Sequence, residues 1–453
     1  MGRYVTALDW MVIPTGYGRR EYQAYVPHPL QDWAPLLDAS AVLTVNEATQ
    51  SIATISAAHD EFPHAALVDW VLARDESIRS SLIEGVSSTA DALAWADYMQ
   101  QAGQPISDEN DSLTLGAVKQ VREAVELGEQ MLSGRACTVE DICSVHRSLF
   151  EDTRDHAIGG VLRDGPMWVG PAGCLVDDAS YVAPPPENVA ELMDDLVAYL
   201  NSTEHPAVIQ AAVAHSQIET IHPFNDGNGR TGRALIHTIL NARGIARGAL
   251  PISTALVENT YRYYEALNAT RVVCDLDDSQ IRSAGLARWL SLFCDACREA
   301  ERSSKVAAGL AAEMIAGWEA HTSFRSDSGA AALLKALPSM PVFDTEMVAR
   351  RLGVAGNVAR SAIASLERAQ IVQPAVGRRN RRYTVPDIIG LLRVMRPDSG
   401  LPPSATTRVR AALRVSPLIS ESAEIRCGHR GVRSKKTCVL GRGHGGQHRY
   451  RKS

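Results

Sequence analysis

Nine residues set between two helical patterns constrain this chain more than any other stretch: His222-Pro223-Phe224-Asn225-Asp226-Gly227-Asn228-Gly229-Arg230. Residues 206–221 are mostly apolar and predict a buried helix, with Pro206 in the first turn, where a missing N–H costs little. Pro223 ends that helix, because its ring removes a donor and constrains the residue before it. Downstream, Arg230 to Arg243 predicts a second helix, with Leu235, Ile236, Ile239 and Leu240 on its inner face and Gly244 as its stop. The glycines between the two helices let backbone N–H groups converge at a helix N-terminus, which is an anion site.

The side chains around that nest suit phosphate chemistry. Asp226 is a hard oxygen ligand of the kind Mg²⁺ takes, one or two carboxylates being completed by water and phosphate oxygens. Asn228 can donate to a phosphate oxygen. Arg230 and Arg233 share a helix face at i and i+3 and can clamp a polyphosphate. His222, at the entrance of the loop, can take a proton near neutral pH. Together they predict attack of a hydroxyl on a nucleotide phosphate.

The same segment resembles the signature of the Fic family, His-Pro-Phe-x-(Asp/Glu)-Gly-Asn-Gly-Arg-x-x-Arg, at every specified position, and Ala214 to Ile221 before it is similar as well. The resemblance implies a mainly α fold: a Fic-type helical bundle with a β-hairpin flap, followed by a winged helix-turn-helix domain. It implies an AMP transferase that moves AMP from ATP to a Ser, Thr or Tyr hydroxyl of a target protein, or of itself. In that reading His222 is the base, Asp226 holds Mg²⁺, and Phe224, Asn225, Gly227, Asn228, Gly229, Arg230 and Arg233 bind the nucleotide. Tyr261 and Tyr264 follow at a spacing where an aromatic faces the adenine or packs in the core; Tyr261 is the one assigned to the nucleotide.

A second stretch, Glu76 to Gly85, lies on a predicted helix over Ala65–Ile83, with Leu67, Trp70, Val71, Ile78 and Leu82 expected inward. Ser80 and Glu84 fall on one face at i and i+4, and Gly85 ends the helix. In Fic proteins (Ser/Thr)-x-x-x-Glu-(Gly/Asn) is an inhibitory element, and Ser80, Glu84 and Gly85 are similar to it. A glutamate brought to Arg233 would neutralise the group meant for the γ-phosphate and leave the α-phosphate misaligned for in-line attack.

Four segments follow from these patterns: 1–103, an N-terminal arm and inhibitory region; 104–322, the catalytic core; 323–396, helix, turn, helix and a basic wing; and 397–453, a basic tail. Residues 1–35, rich in Gly, Pro and aromatics, predict an extended arm. Two short β-like runs around 167–170 and 179–183 predict the flap, whose edge would present a target segment by strand addition. Arg360, Arg381 and Arg382 suit either DNA phosphates or a protein partner.

Charge is uneven. The whole chain carries −6, but residues 401–453 hold twelve Lys or Arg against two Glu, +10, which leaves −16 for the rest. The tail's Cys427, Cys438, His444 and His448 form a ligand set compatible with structural Zn²⁺. Eight cysteines in 453 residues are sparse, Cys294 and Cys297 read as buried thiols, and no run is long and apolar enough for a membrane span, so a cytoplasmic protein is expected, with an oligomer left open. Three further readings stand beside transfer: AMP removal with Glu84 aligning a water, transfer of another nucleotide group, and a DNA-binding regulator whose body senses nucleotide.

Overall fold

The computed structural model describes residues 2–13, 16–31, 33–59, 64–170, 174–375 and 381–395, with 437–438 and 450–451 in the tail. The N-terminus is a hairpin rather than an arm. β1 (Gly2–Ile13) and β2 (Gly16–Pro27) pair antiparallel from Gly2↔Pro27 to Ile13↔Gly16. Alternation turns Val5, Ala7, Tyr22 and Ala24 to one face, where they meet Val176, Trp168 and Val182.

Helices then dominate: α1 (Ala39–His59), α2 (Ala65–Ile83), α3 (Ala90–Gln101), α4 (Glu109–Leu132) and α5 (Val139–Phe150). Thr138 and Asp141 form a reciprocal capping box at the start of α5. The flap is reduced to β3 (Trp168–Val169) and β4 (Tyr181–Val182), antiparallel and two residues each. Next come α6 (Pro186–Leu200), α7 (Ala207–Ile221), α8 (Asn228–Ala242), α9 (Ser253–Glu258), α10 (Thr260–Ala269) and α11 (Ser279–Ala320). Every residue of α7 is buried, the polar Gln210, His215, Ser216, Gln217, Glu219 and Thr220 included, and the main hydrophobic cluster gathers about α7 and α8.

The chain continues through α12 (Gly329–Ala336), β5 (Val342–Asp344), α13 (Thr345–Leu352), α14 (Gly356–Arg368), β6 (Gln373–Pro374), β7 (Arg382–Thr384) and α15 (Pro386–Val394). The three strands form one antiparallel sheet in the order β5-β7-β6. Asp344 caps α13, and Gly353 at φ 63° makes the turn to α14. This segment does not own a separate core. Leu333, Phe343, Ile363 and Leu392 share one cluster with Leu67 and Val71 of α2, Tyr98 of α3 and Met314 and Trp318 of α11. The expected wing residues Gly377 to Asn380 lie outside the described residues.

Residues 413–453 form a second unit. In it, β8 (Thr437–Cys438) pairs antiparallel with β9 (Tyr450–Arg451). Of the expected zinc ligands, Cys427, His444 and His448 lie outside the described residues, and Cys438 is described for its backbone alone. No described helix is long and apolar enough to cross a membrane.

Candidate functional site

The loop between α7 and α8 is held by its own backbone. His222 closes α7 in the left-handed region at φ 51°, ψ 56°, and Gly227, at φ 76°, opens α8. A left-handed residue directly before proline is disfavoured, so the surroundings must hold it. Asn228, 2.9 Å from the N–H of Phe224, accepts from it and donates back to the Phe224 carbonyl at 2.8 Å. Phe224 is fully buried and stacked on His146, ring centroids 3.7 Å apart. His146 Nδ1 accepts from Gly160 N–H at 2.8 Å, so the ring proton sits on Nε2 and is donated to the Asp226 carbonyl, also at 2.8 Å. Burial pushes the His146 pKa down to about 4, which keeps that tautomer at neutral pH.

His222 faces a cavity of about 480 Å³ shared with Glu84, Glu219, Asn225 to Gly229, Tyr264 and Arg271 and with the flap residues Val169, Gly170, Ser180 and Tyr181. Its Nδ1 lies 3.3 Å from the Glu219 carbonyl. Burial first, then Arg271 and Arg163, push the imidazole down to about 4 against the pull of that carbonyl, leaving Nε2 free to accept a proton at pH 7. A larger cavity, about 1200 Å³, lies on the other side of α2 beside Trp70, Arg74 and Arg122 and holds none of the loop residues. Chemistry selects the smaller one.

Arg233 is buried and engaged in every direction. Its Nε donates to Ser80 Oγ at 2.8 Å, Nη2 to the Ser80 carbonyl at 2.9 Å and to Glu84 Oε1 at 2.7 Å, and Nη1 to Tyr263 OH at 3.3 Å. It therefore closes the C-terminus of α2, where carbonyls lack intrahelical partners and a cation is favoured. Burial opposes its charge, but Tyr263, Glu84 and Glu219 raise its pKa. Glu84 Oε1 also sits only 2.1 Å from where a Cβ on Gly229 would be, over the first turn of α8. The carboxylate thus lies against the first turn of α8, next to the N-terminus that makes the anion site.

Arg230 is buried too, its guanidinium over the Phe150 ring and Nη2 3.4 Å from Asp226 Oδ2, while Nε and Nη1 have no partner. Unmet cationic donors at that depth suit an anionic ligand. Asp226 is 62% exposed, with Oδ1 accepting from Gly227 N–H at 2.6 Å. Among the described residues no cluster of three or more His, Cys, Asp or Glu could hold a metal ion. A single open carboxylate beside a phosphate nest fits Mg²⁺, which completes its shell with phosphate and water oxygens. Glu219 lies behind Arg233; burial, and then the Glu84 carboxylate, push its pKa up to about 7.

The structure brings together His222, Asn225, Asp226, Gly227, Gly229, Arg230, Arg233, Ser80 and Glu84, while Gly85 at φ 78° turns the chain away after α2. Tyr261, Phe224 and Leu82 depart from expectation. Tyr261 is 73% exposed and lines no part of the cavity; Tyr264 does, its hydroxyl 3.4 Å from the Ile83 carbonyl. Phe224 supports the loop from the core rather than facing a nucleotide. Asn228 shapes the loop through Phe224 and also lines the cavity. Leu82, expected inward, is exposed, the one exposed residue between Trp70 and Ile83 in an otherwise buried stretch of α2. Sequence reasoning gave no role to His146, Tyr263 or Arg163; buried polar groups bonded to backbone leave no spacing signal, and only the apolar neighbours of His146 hint at its burial.

The fold and site define a helical domain with an anion nest between two buried helices. Residues 136–240 match the Fic/DOC family profile. Among curated relatives, "Protein adenylyltransferase Fic" of Aedes aegypti is 31% identical over 36% of this chain and 30% of its own length. A protein of the same name from Drosophila melanogaster is 36% identical over 25% of this chain and 22% of its own. The chain thus spans less than a third of these relatives. Among solved structures, a Fic family protein from Desulfovibrio desulfuricans G20 covers 78% of this chain and 98% of its own at 21% identity and TM-score 0.45.

Proposed function

We propose that this chain is an autoinhibited protein adenylyltransferase that moves AMP from ATP to a Ser, Thr or Tyr hydroxyl of a target protein presented along the flap, and to itself. The observation that carries the reading is the placement of Glu84 on Arg233 and Gly229, at the anion site of a domain whose relatives are named for AMP transfer.

The residues divide the work as follows. His222 Nε2 takes the proton of the attacking hydroxyl, whose oxygen bonds to the α-phosphorus as the bond to the pyrophosphate oxygen breaks. The N–H groups at the start of α8 stabilise the charge that develops on the α-phosphate oxygens. Arg230, with two unmet donors, and Arg233, once Glu84 has left it, hold the leaving pyrophosphate. Mg²⁺ held by Asp226 would supply charge neutralisation of the phosphate oxygens. Tyr264 lines the wall on the side of α10 and suits the adenine. Six described cysteines are free thiols, which fits the cytoplasm.

A second reading, AMP removal, is favoured by one observation: Glu84, 30% exposed, lines the same cavity as His222 and could orient a water. For 323–396 a winged helix bound to DNA or protein remains the proposal, but Arg381 is paired with Glu367 at 2.8 Å and Arg382 packs over Tyr98 and Trp95, which leaves exposed Arg360 as the freer phosphate contact.

The test uses ATP labelled at the α-phosphate, with Mg²⁺, on wild type, Glu84→Gly and Glu84→Gly combined with His222→Ala. Strong labelling of protein in Glu84→Gly, faint labelling in wild type and none in the double variant is expected. No label in any of the three, with lysate supplied as target, defeats transfer, and release of AMP from a pre-labelled protein would then point to the second reading.

A further inference from the structure

One buried side chain joins the catalytic turn to the flap. Arg163 follows Leu162, which bridges to Phe224, and its own N–H donates to the Pro223 carbonyl at 2.9 Å. Its guanidinium is 3% exposed and ends on backbone carbonyls alone. Nε donates to His222 at 2.7 Å and Nη2 to Ile221 at 3.2 Å. Nη2 also reaches Pro184 at 2.7 Å, and Nη1 reaches Gly165 at 2.9 Å.

Two of these acceptors are the last carbonyls of α7, which have no helical partner and sit at the negative end of the helix. The other two stand at the feet of the flap, Gly165 before β3 and Pro184 after β4. We propose that Arg163 is a positioning residue that holds the left-handed backbone of His222 in place and ties it to both legs of the flap, so that a hydroxyl seated on the flap and the base that deprotonates it share one frame. The assignment rests on the transferase reading.

Arg163 does not line the cavity, so it touches neither nucleotide nor target. Its effect is on alignment. The planar guanidinium spans carbonyls from two directions, which a lysine ammonium cannot do. The groups that face His222 are the Glu219 carbonyl, Arg271, Arg163 and Glu84. Removing the Arg163 charge takes away one of the two cations that disfavour the imidazolium.

Arg163→Lys and Arg163→Gln, each in the Glu84→Gly chain, are compared with that parent. Hydrogen exchange is expected to quicken together in the flap, 164–170 and 181–185, and in the turn, 222–229, in both variants, with calorimetric affinity for ATP and Mg²⁺ unchanged. In AMP transfer, kcat falls about 10²-fold, the scale of an ångström-level misplacement, while KM for ATP holds. In Arg163→Gln the acid limb of the rate profile also moves to higher pH. Faster exchange in only one segment, an unchanged kcat in Arg163→Lys, or ATP affinity falling in step with kcat would each overturn the assignment. If the parent transfers no label the transferase reading fails, and the exchange data still decide whether Arg163 couples flap and turn.

Discussion

Glu84 Oε1 stands 2.7 Å from Arg233 Nη2, and the same oxygen lies 2.1 Å from where a Cβ on Gly229 would be. One carboxylate therefore meets both a cationic donor and a helix N-terminus, the two features a phosphate would seek. Only one of the three bonds from Arg233 to the 80–84 region uses this side chain; the other two go to Ser80. Substituting Glu84 therefore leaves the two bonds between Arg233 and Ser80 on α2 in place.

That division predicts a graded response. Glu84→Gly is expected to raise transfer ~10- to 100-fold, from loss of a charge-assisted hydrogen bond of about 1.5–3 kcal/mol. Ser80→Ala removes a neutral acceptor and is expected to raise it about fivefold, from roughly 1 kcal/mol. Label incorporation under initial-rate conditions orders the two; equal effects would show that Ser80 holds the glutamate in place as firmly as Arg233 does.

Asn228 predicts a stability effect. Asn228→Ala leaves the buried N–H and carbonyl of Phe224 without their partner, a cost of about 1–3 kcal/mol for each group left unmet. The urea midpoint should fall with its slope unchanged. Asn228→Asp should be no better, because it keeps the acceptor but sets a carboxylate against the Phe224 carbonyl.

The two tyrosines separate cleanly. Tyr264→Ala is expected to raise KM for ATP, whereas Tyr261→Ala, on an exposed face, should leave kinetics as they are. Steady-state rates at varied ATP decide this, and the reverse pattern would put the adenine on the other side of α10.

Stability should fall in mild acid. His146 and His215, both fully buried, have pKa values pushed down to about 4 and about 3, largely by burial. The unfolded chain takes up protons near pH 6.5 while the folded one does not, so stability is lost as pH falls from about 6.5 towards 4, roughly 3–5 kcal/mol for each ring at full loss. Glu219 works the other way. Raised to about 7, it holds a proton in the folded state that the unfolded chain binds only near its ordinary carboxylate value, so it adds stability as pH drops from 7. Melting temperature against pH should therefore fall less steeply in His146→Gln and more steeply in Glu219→Gln.

Much of the site was legible because it is local. The predicted helix Ala65–Ile83 is α2 to the residue, and Pro223 and Gly227 mark the turn through backbone chemistry that sequence states directly. What escaped reading depended on phase or on distant partners. Residues 256–271 look like one helix, yet Asn259 breaks the pattern and caps α10, its side chain accepting from Arg262 N–H at 2.9 Å. The break resets which tyrosine faces inward. Arg163 is silent in sequence because it answers carbonyls at 165, 184, 221 and 222, positions that come together only when the bundle closes. The N-terminal hairpin was hidden by its glycines and prolines, although Val5 and Ala7 already alternate with Tyr4, Thr6 and Leu8.

The burial of α2 has a mechanical reading. Near its middle Glu76 accepts from Ser253 N–H at 2.8 Å and from its hydroxyl at 2.7 Å, and Asp75 meets Thr254. One arm, through Leu67, Val68 and Val71, is seated among the side chains of the 330–392 segment; the other ends at Glu84. At 1.5 Å per residue each arm is about 12 Å long. α2 is therefore one continuous link between that hydrophobic cluster and Glu84, held along its length by the bonds of Arg74, Glu76 and Ser80.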